Sequence, residues 1–162
     1  MPITFVRIDD RMLHGQIVTR WSRTYPCKGI LLVDEAVSKD EFQKKIFKNA
    51  APAGTKVGVF NVQDGALKIN KAQEVENGYF LIVKSPTTLV KLLDAGGNFG
   101  KSINVGPMSV RDNTKTVARN CALTSEEIEA FCELDKRGIN IVFQLIPNQT
   151  PVSWKEVKNK IK

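Results

Sequence analysis

The stretch of the chain most suited to chemistry is Arg7-Ile-Asp-Asp-Arg-Met-Leu-His-Gly-Gln16. The stretch carries two arginines, two aspartates, a glycine and His14, which is the only histidine among 162 residues. An imidazole, with a free pKa of about 6.5, is largely neutral and therefore nucleophilic near neutral pH. A guanidinium is flat, permanently charged and multidentate, which suits the oxygens of a phosphoryl group. Arg11 and Arg7 supply two such groups. Gly15 has no Cβ to keep an anion from the backbone. His14 falls just before an expected helix. There, unpaired N–H groups, including those of Gly15 and Gln16, and the helix dipole add to the attraction for an anion. Asp9 is expected to position the arginines or the loop, since a neutral imidazole needs no base. The chemistry that fits is phosphoryl transfer through a histidine that is itself the nucleophile.

Rival chemistries lack their parts. There is no G-x-x-x-x-G-K-[ST] loop and no G-x-G-x-x-G, so a nucleotide would have no glycine cradle. One histidine with Asp9 and Asp10 is a poor metal site, and no metal or other cofactor is expected. No nucleophile elbow is present. Cys27, Cys121 and Cys132 are odd in number and form no C-x-x-C pair, which fits free structural thiols in a reducing compartment. The net charge of +7 is compatible with an anionic ligand or an acidic protein partner. The lysines are spread along the chain and are densest at Lys155, Lys158, Lys160 and Lys162. Aromatic residues do not interleave with them, so no nucleic acid is expected. No signal peptide is read at Met-Pro-Ile-Thr-Phe, and the longest apolar runs are strand-sized rather than the ~20 residues of a membrane helix.

Short apolar runs alternate with helical patterns, and these elements must position the reactive segment. Strands are expected at Ile3–Ile8, Gly29–Val33, Lys56–Phe60, Tyr79–Val83, Ser102–Val105 and 140–145. A helix over 16–25 would bury Ile17, Val18, Trp21 and Tyr25. Ser38 and Glu41 form a capping-box pattern opening a helix to Asn49, with Phe42, Ile46 and Phe47 as its buried side. A weaker helix is expected at 63–71, where Gly65 counts against it. Ser85-Pro86 opens another, with Leu89, Val90, Leu92 and Leu93 as its stripe. Residues 106–116 read as irregular. Thr124 and Glu127 repeat the capping box, and Ser153 with Glu156 opens a basic terminal helix. This alternation predicts an α/β domain over 1–162, an open, mainly parallel twisted sheet with helices on both faces. Ligands of such sheets bind beyond the carboxyl ends of the strands, where the segment 9–15 falls.

The segment Arg7-Ile-Asp-Asp-Arg-Met-Leu-His-Gly-Gln-Ile resembles the signature of the IIB components of the mannose/fructose/sorbose class of bacterial sugar phosphotransferase systems. The resemblance continues through Val33-Asp-Glu-Ala-Val37, Ala50-Ala-Pro-Ala-Gly54, Ile103-Asn-Val-Gly106 with Met108, and Gly138-Ile-Asn-Ile-Val142 with Pro147. Pro107 departs from it. The resemblance implies that His14 is phosphorylated at Nδ1 by the phosphohistidine of a separate IIA protein. It gives Arg11 the active-site arginine and extends to Arg7, Asp9, Gly15 and Gln16. It further implies transfer to a sugar held by membrane IIC and IID subunits, and so a cytoplasmic protein at the inner face of the membrane. Met12 and Leu13, beside the histidine, are candidates for apolar contact with a partner. The other reading of the same residues is a flavodoxin-like module that holds an anion or a nucleotide without covalent chemistry.

Overall fold

A computed structural model describes residues 2–161. In chain order the elements are β1 (Ile3–Ile8), α1 (Gly15–Trp21), β2 (Gly29–Val33), α2 (Glu35–Ser38), α3 (Glu41–Ala50), β3 (Lys56–Phe60), α4 (Val62–Ala72), β4 (Tyr79–Val83) and α5 (Pro86–Asp94). There follow β5 (Ser102–Val105), β6 (Lys115–Ala118), β7 (Cys121–Leu123), α6 (Ser125–Lys136), β8 (Asn140–Phe143), β9 (Val152–Ser153) and α7 (Trp154–Ile161). The seven-stranded sheet has the order β3-β2-β4-β1-β5-β8-β9. Its first six strands are parallel and β9 pairs antiparallel with β8.

From β1 the chain steps over β4 to β2 and then to β3; after β3 every step runs the other way. Parallel crossovers are right-handed, so opposite directions place helices on opposite faces. The core divides accordingly. Phe5, Ile30, Leu32, Phe80 and Ile82 point to the face of α1, α2 and α3. Ile8, Leu31, Val33, Leu81, Val83, Ile103 and Val105 point to the face of α4, α5, α6 and α7. Alternate residues of one strand serve opposite cores, which is why the central strands are apolar throughout. On the α4 side Phe131, Phe143 and Trp154 pack within 6.2 Å of one another. Among the described residues no helix is long and apolar enough to cross a membrane.

Several boundaries differ from the expectations. α1 stops at Trp21 rather than Tyr25. Ser38 ends α2, and Asp40 caps α3 by accepting from the N–H groups of Phe42 and Gln43. Its carboxyl is consequently held below the usual aspartate range, the hydrogen bonds from Gln43 being the main cause. Of the expected buried side of α3, Phe47 packs partly buried against the α1-side core, whereas Phe42 and Ile46 lie exposed. Gly65 is inside α4 because a Cβ there would stand 2.8 Å from a methyl of Val33, so its absence lets α4 lie close on β2. The hairpin β6–β7 replaces part of the irregular stretch, turning with Asn120 at positive φ, and Asn113, also at positive φ, lies in the turn before β6. The last core strand ends at Phe143, and Gln144 and Leu145 enter the loop beyond it.

Candidate active site

β1 and β5 are neighbours, and their register sets Arg7 opposite Asn104 and Ile8 opposite Val105. Both positions 7 and 104 face the α1 side of the sheet, one residue from the carboxyl ends of their strands. Arg7 is buried, with 1% of its surface exposed. Its guanidinium donates from Nε to Asp9 Oδ2 at 3.3 Å. Nη1 donates to Asn104 Oδ1 at 2.6 Å and to the Gln144 carbonyl at 3.3 Å. Nη2 donates to the Leu145 carbonyl at 3.2 Å. The ring of Trp21 lies 5.7 Å from its Cζ. Burial pulls this guanidinium below its ordinary range, and Asp9 pulls it back up. Gly106 closes the cage: a Cβ there would collide with the guanidinium. Gly106→Ala should therefore lower stability by about 1–3 kcal/mol, the usual cost of overpacking. Urea denaturation would read this as a reduced midpoint with an unchanged slope.

Asp9 is equally buried and carries the loop. Its N–H donates to the Val83 carbonyl at the end of β4. Its Oδ1 accepts from the Arg11 N–H at 3.0 Å and lies 3.7 Å from Arg11 Nε. Its carbonyl accepts from the Met12 N–H at 2.9 Å. Asp10 ties the loop to the next one. Its N–H donates to the Pro107 carbonyl, and its Oδ2 accepts from the Ser109 N–H at 2.7 Å. Arg11 is the exposed member, with 51% of its side chain open to solvent. It borders a cleft of about 350 Å³ whose walls include Asp10, Ser109, Asn120 and Ile146.

Met12 turns the loop inward at φ 57°. It and Leu13 are buried against Val18 and Val37, so neither offers a contact surface to a partner, contrary to the expectation above. They are anchors. The chain between Asp9 and α1 is pinned at both ends, by hydrogen bonds at Asp9 and by apolar burial at Met12 and Leu13.

His14 follows these anchors as the N-cap of α1, extended at φ −131° and ψ 120°. Its carbonyl accepts from the N–H groups of Ile17 and Val18, each at 3.1 Å. Its imidazole is half-buried and caps nothing; Nδ1 is turned inward without a hydrogen-bond partner. Gly15 is required here by another backbone. A Cβ on it would stand 2.9 Å from the carbonyl oxygen of Ala50, the last residue of α3. Gln16 is exposed on the first turn.

The structure thus brings Arg7, Asp9 and Arg11 together and sets His14 and Gly15 at the end of the same pinned loop. Arg7 does not face the solvent as a phosphate ligand would; its donors are held by Asp9, Asn104 and two carbonyls. Asn104 and Gly106 are the residues that a search for reactive types passes over. A cysteine nucleophile has little support in the geometry. The three thiols are free, and burial pushes Cys27 up to about 11 and Cys121 up to about 12.

Comparison with known proteins gives a consistent neighbourhood. The family model described as the sorbose subfamily IIB component of the PTS system matches residues 3–162. The fructose-specific EIIB component of Bacillus subtilis is 26% identical over 161 residues, spanning 99% of this chain and 98% of the relative. The sorbose-specific EIIB component of Lacticaseibacillus casei is 30% identical over 146 residues, 90% of this chain and 88% of the relative. The crystal structure of the IIB domain of the Klebsiella pneumoniae sorbose permease superposes with a TM-score of 0.92 at 28% identity, covering 100% of this chain and 99% of that one.

Proposed function

The chain belongs to the sorbose-subfamily IIB components of the sugar phosphotransferase system, and from that premise we propose that His14 is the residue on which it carries the phosphoryl group. The protein is a phosphotransferase of sugar uptake. The observation that supports His14 is its setting: a half-buried imidazole capping nothing, at the end of a loop pinned by Asp9 that also carries an arginine half open to solvent, Arg11.

In this reading Nδ1 of neutral His14 attacks the phosphorus of a donor phosphohistidine. The new N–P bond forms as the donor's N–P bond breaks, and the donor imidazole leaves with the electron pair. Nδ1 faces inward in the resting ring, so the imidazole turns about its side-chain bonds before it attacks. Arg11 offsets charge on the equatorial oxygens, and the N–H groups of Gly15 and Gln16 add to it. Arg7 acts at one remove, through Asp9. In the second transfer a sugar hydroxyl attacks the phosphorus and His14 leaves. The partners are a IIA donor and the membrane IIC and IID subunits with their sugar, which would hold this chain at the cytoplasmic face of the membrane. The 162 residues then act as one IIB domain.

The test is loading. Incubated with phosphoenolpyruvate, the general phosphotransferase proteins and a IIA donor of this class, the chain should take up one acid-labile phosphoryl group. Uptake of none, or of an acid-stable group, would overturn the reading.

A further inference from the structure

α3 has two large apolar side chains that the fold does not use. Phe42 and Ile46 recur at a four-residue interval with Ala50, which packs partly against the core, and the three form one ridge along the helix. Phe42 is 73% exposed and Ile46 49%. Scattered apolar side chains on a surface are ordinary; two large ones on one ridge, while Phe47 and Ala50 serve the core, make a patch. At its other end the ridge reaches Gly15 through the carbonyl of Ala50, and Gly15 follows His14. A cleft of about 410 Å³ joins the two helices there, bordered by Gln16, Arg20, Arg23 and Pro52.

Cations edge this surface. Lys45 and Lys48 are exposed on α3, Arg20 on α1 and Arg23 in the turn just after it. The acidic residues near it are Asp40, engaged as the cap of α3, and Glu41, paired with Lys44 at 3.4 Å. A rise of 1.5 Å per residue sets Phe42 about 12 Å from Ala50. A standard interface covers about 800 Å² of each partner, a disc of roughly 16 Å radius. Such a disc, about 32 Å across, is wide enough to hold both His14 and the ridge.

We infer that the Phe42–Ile46 ridge of α3 is part of the face that docks the phosphoryl donor protein, which meets it with an apolar patch bordered by carboxylates. The inference rests on His14 as the carrier. The donor is favoured over the membrane side by charge. A phosphohistidine arrives as an anion, and its carboxylate-edged face complements Arg20, Arg23, Lys45 and Lys48, whereas a sugar hydroxyl brings no charge. Two apolar side chains are also too little surface for a lipid anchor, whose strength scales with buried apolar area.

The experiment uses the full chain with Phe42→Ser and Ile46→Ser, singly and together, and with Lys45→Glu/Lys48→Glu. All are exposed positions. Loading from the phosphorylated IIA donor and onward transfer from preloaded protein to sugar, in membranes carrying IIC and IID, are measured separately. The double serine variant should show a KM for the donor raised about tenfold, with kcat within about twofold and the onward step unchanged. The glutamate pair should raise the same KM. An unchanged donor KM in the double serine variant, beside normal loading of the wild type, overturns the ridge alone. A loss confined to the onward step gives the ridge to the membrane subunits and overturns the inference as well. A wild-type chain that takes up no phosphoryl group overturns the functional reading beneath it.

Discussion

With His14 replaced by alanine, the chain should accept no phosphoryl group and should keep its fold. Both halves follow from how the residue is held. The loop owes its shape to Asp9, Met12 and Leu13, none of which touches the imidazole's polar atoms. The helix start uses only the carbonyl of residue 14, which alanine retains. The imidazole makes no capping hydrogen bond, and its Nδ1 is a buried polar atom without a partner. Losing it should shift stability by no more than about 0.5 kcal/mol, the range of substitutions away from critical contacts. Activity falls to nothing, because no other histidine exists to take over. Acid-labile phosphate incorporation and far-ultraviolet circular dichroism, measured on the same preparation, check the two halves. Stable phosphorylation of the variant would remove His14 from the mechanism.

The second large effect is on stability. Arg7→Met leaves the carboxylate of Asp9, the amide of Asn104 and the carbonyls of Gln144 and Leu145 without their common donor. All lie at the carboxyl ends of β1, β5 and β8, the edge from which the loop extends. Breaking a buried charge pair by removing one partner costs about 3–5 kcal/mol. In a domain of this size that lowers Tm by roughly 10 °C. Arg7→Lys should recover only part of it. An ammonium keeps the charge but cannot meet four acceptors in a plane. Calorimetric scans of the three proteins, with the loading rate of each, separate the two roles. If the cage positions Asp9, and Asp9 positions Arg11, loading slows in both variants at temperatures where both remain folded. A folded Arg7→Met protein that loads at the wild-type rate would limit Arg7 to stability.

Arg7 also shows what the sequence did and did not reveal. The central strands were legible because a parallel sheet covered on both faces must be apolar on both. Ile3–Ile8, Gly29–Val33 and Tyr79–Val83 coincide with their expected ranges for that reason. His14 at a helix start was legible from the change of period after Gly15. Arg7 was assigned by residue type, as a phosphate ligand. Its position carried the better information: a residue between Val6 and Ile8 of a buried central strand is mostly enclosed by its neighbours. Asn104, between Ile103 and Val105, carried the same message. Two polar residues in neighbouring buried strands imply each other, yet nothing in the sequence alone says that β1 and β5 are neighbours.

On α3, Phe47 packs against the core as expected, and Phe42 and Ile46 depart from the expectation for a different physical reason. Phe42, Ile46 and Phe47 have the spacing of an apolar stripe. Period reports that a helix is two-sided; it does not report what covers the apolar side. The hairpin β6–β7 and the two-residue β9 escaped notice because short strands carry too few alternations. Asn120 turns the hairpin without an Asn-Gly pair.

The approach of Ala50 to Gly15 has a further consequence for a group that must not stay. The last carbonyls of a helix lack intrahelical partners and gather partial negative charge, about half an electron's worth, while the first N–H groups gather the opposite. Here the carbonyl end of α3 abuts the amide end of α1, one residue from His14. The two ends offset each other where a phosphoryl group would sit. A carrier flanked by an uncompensated amide end would bind its cargo as a sink, lowering the cargo's transfer potential below that of the donor. Neutralising that end keeps the potential nearly level from donor to acceptor, so that the group can leave as readily as it came.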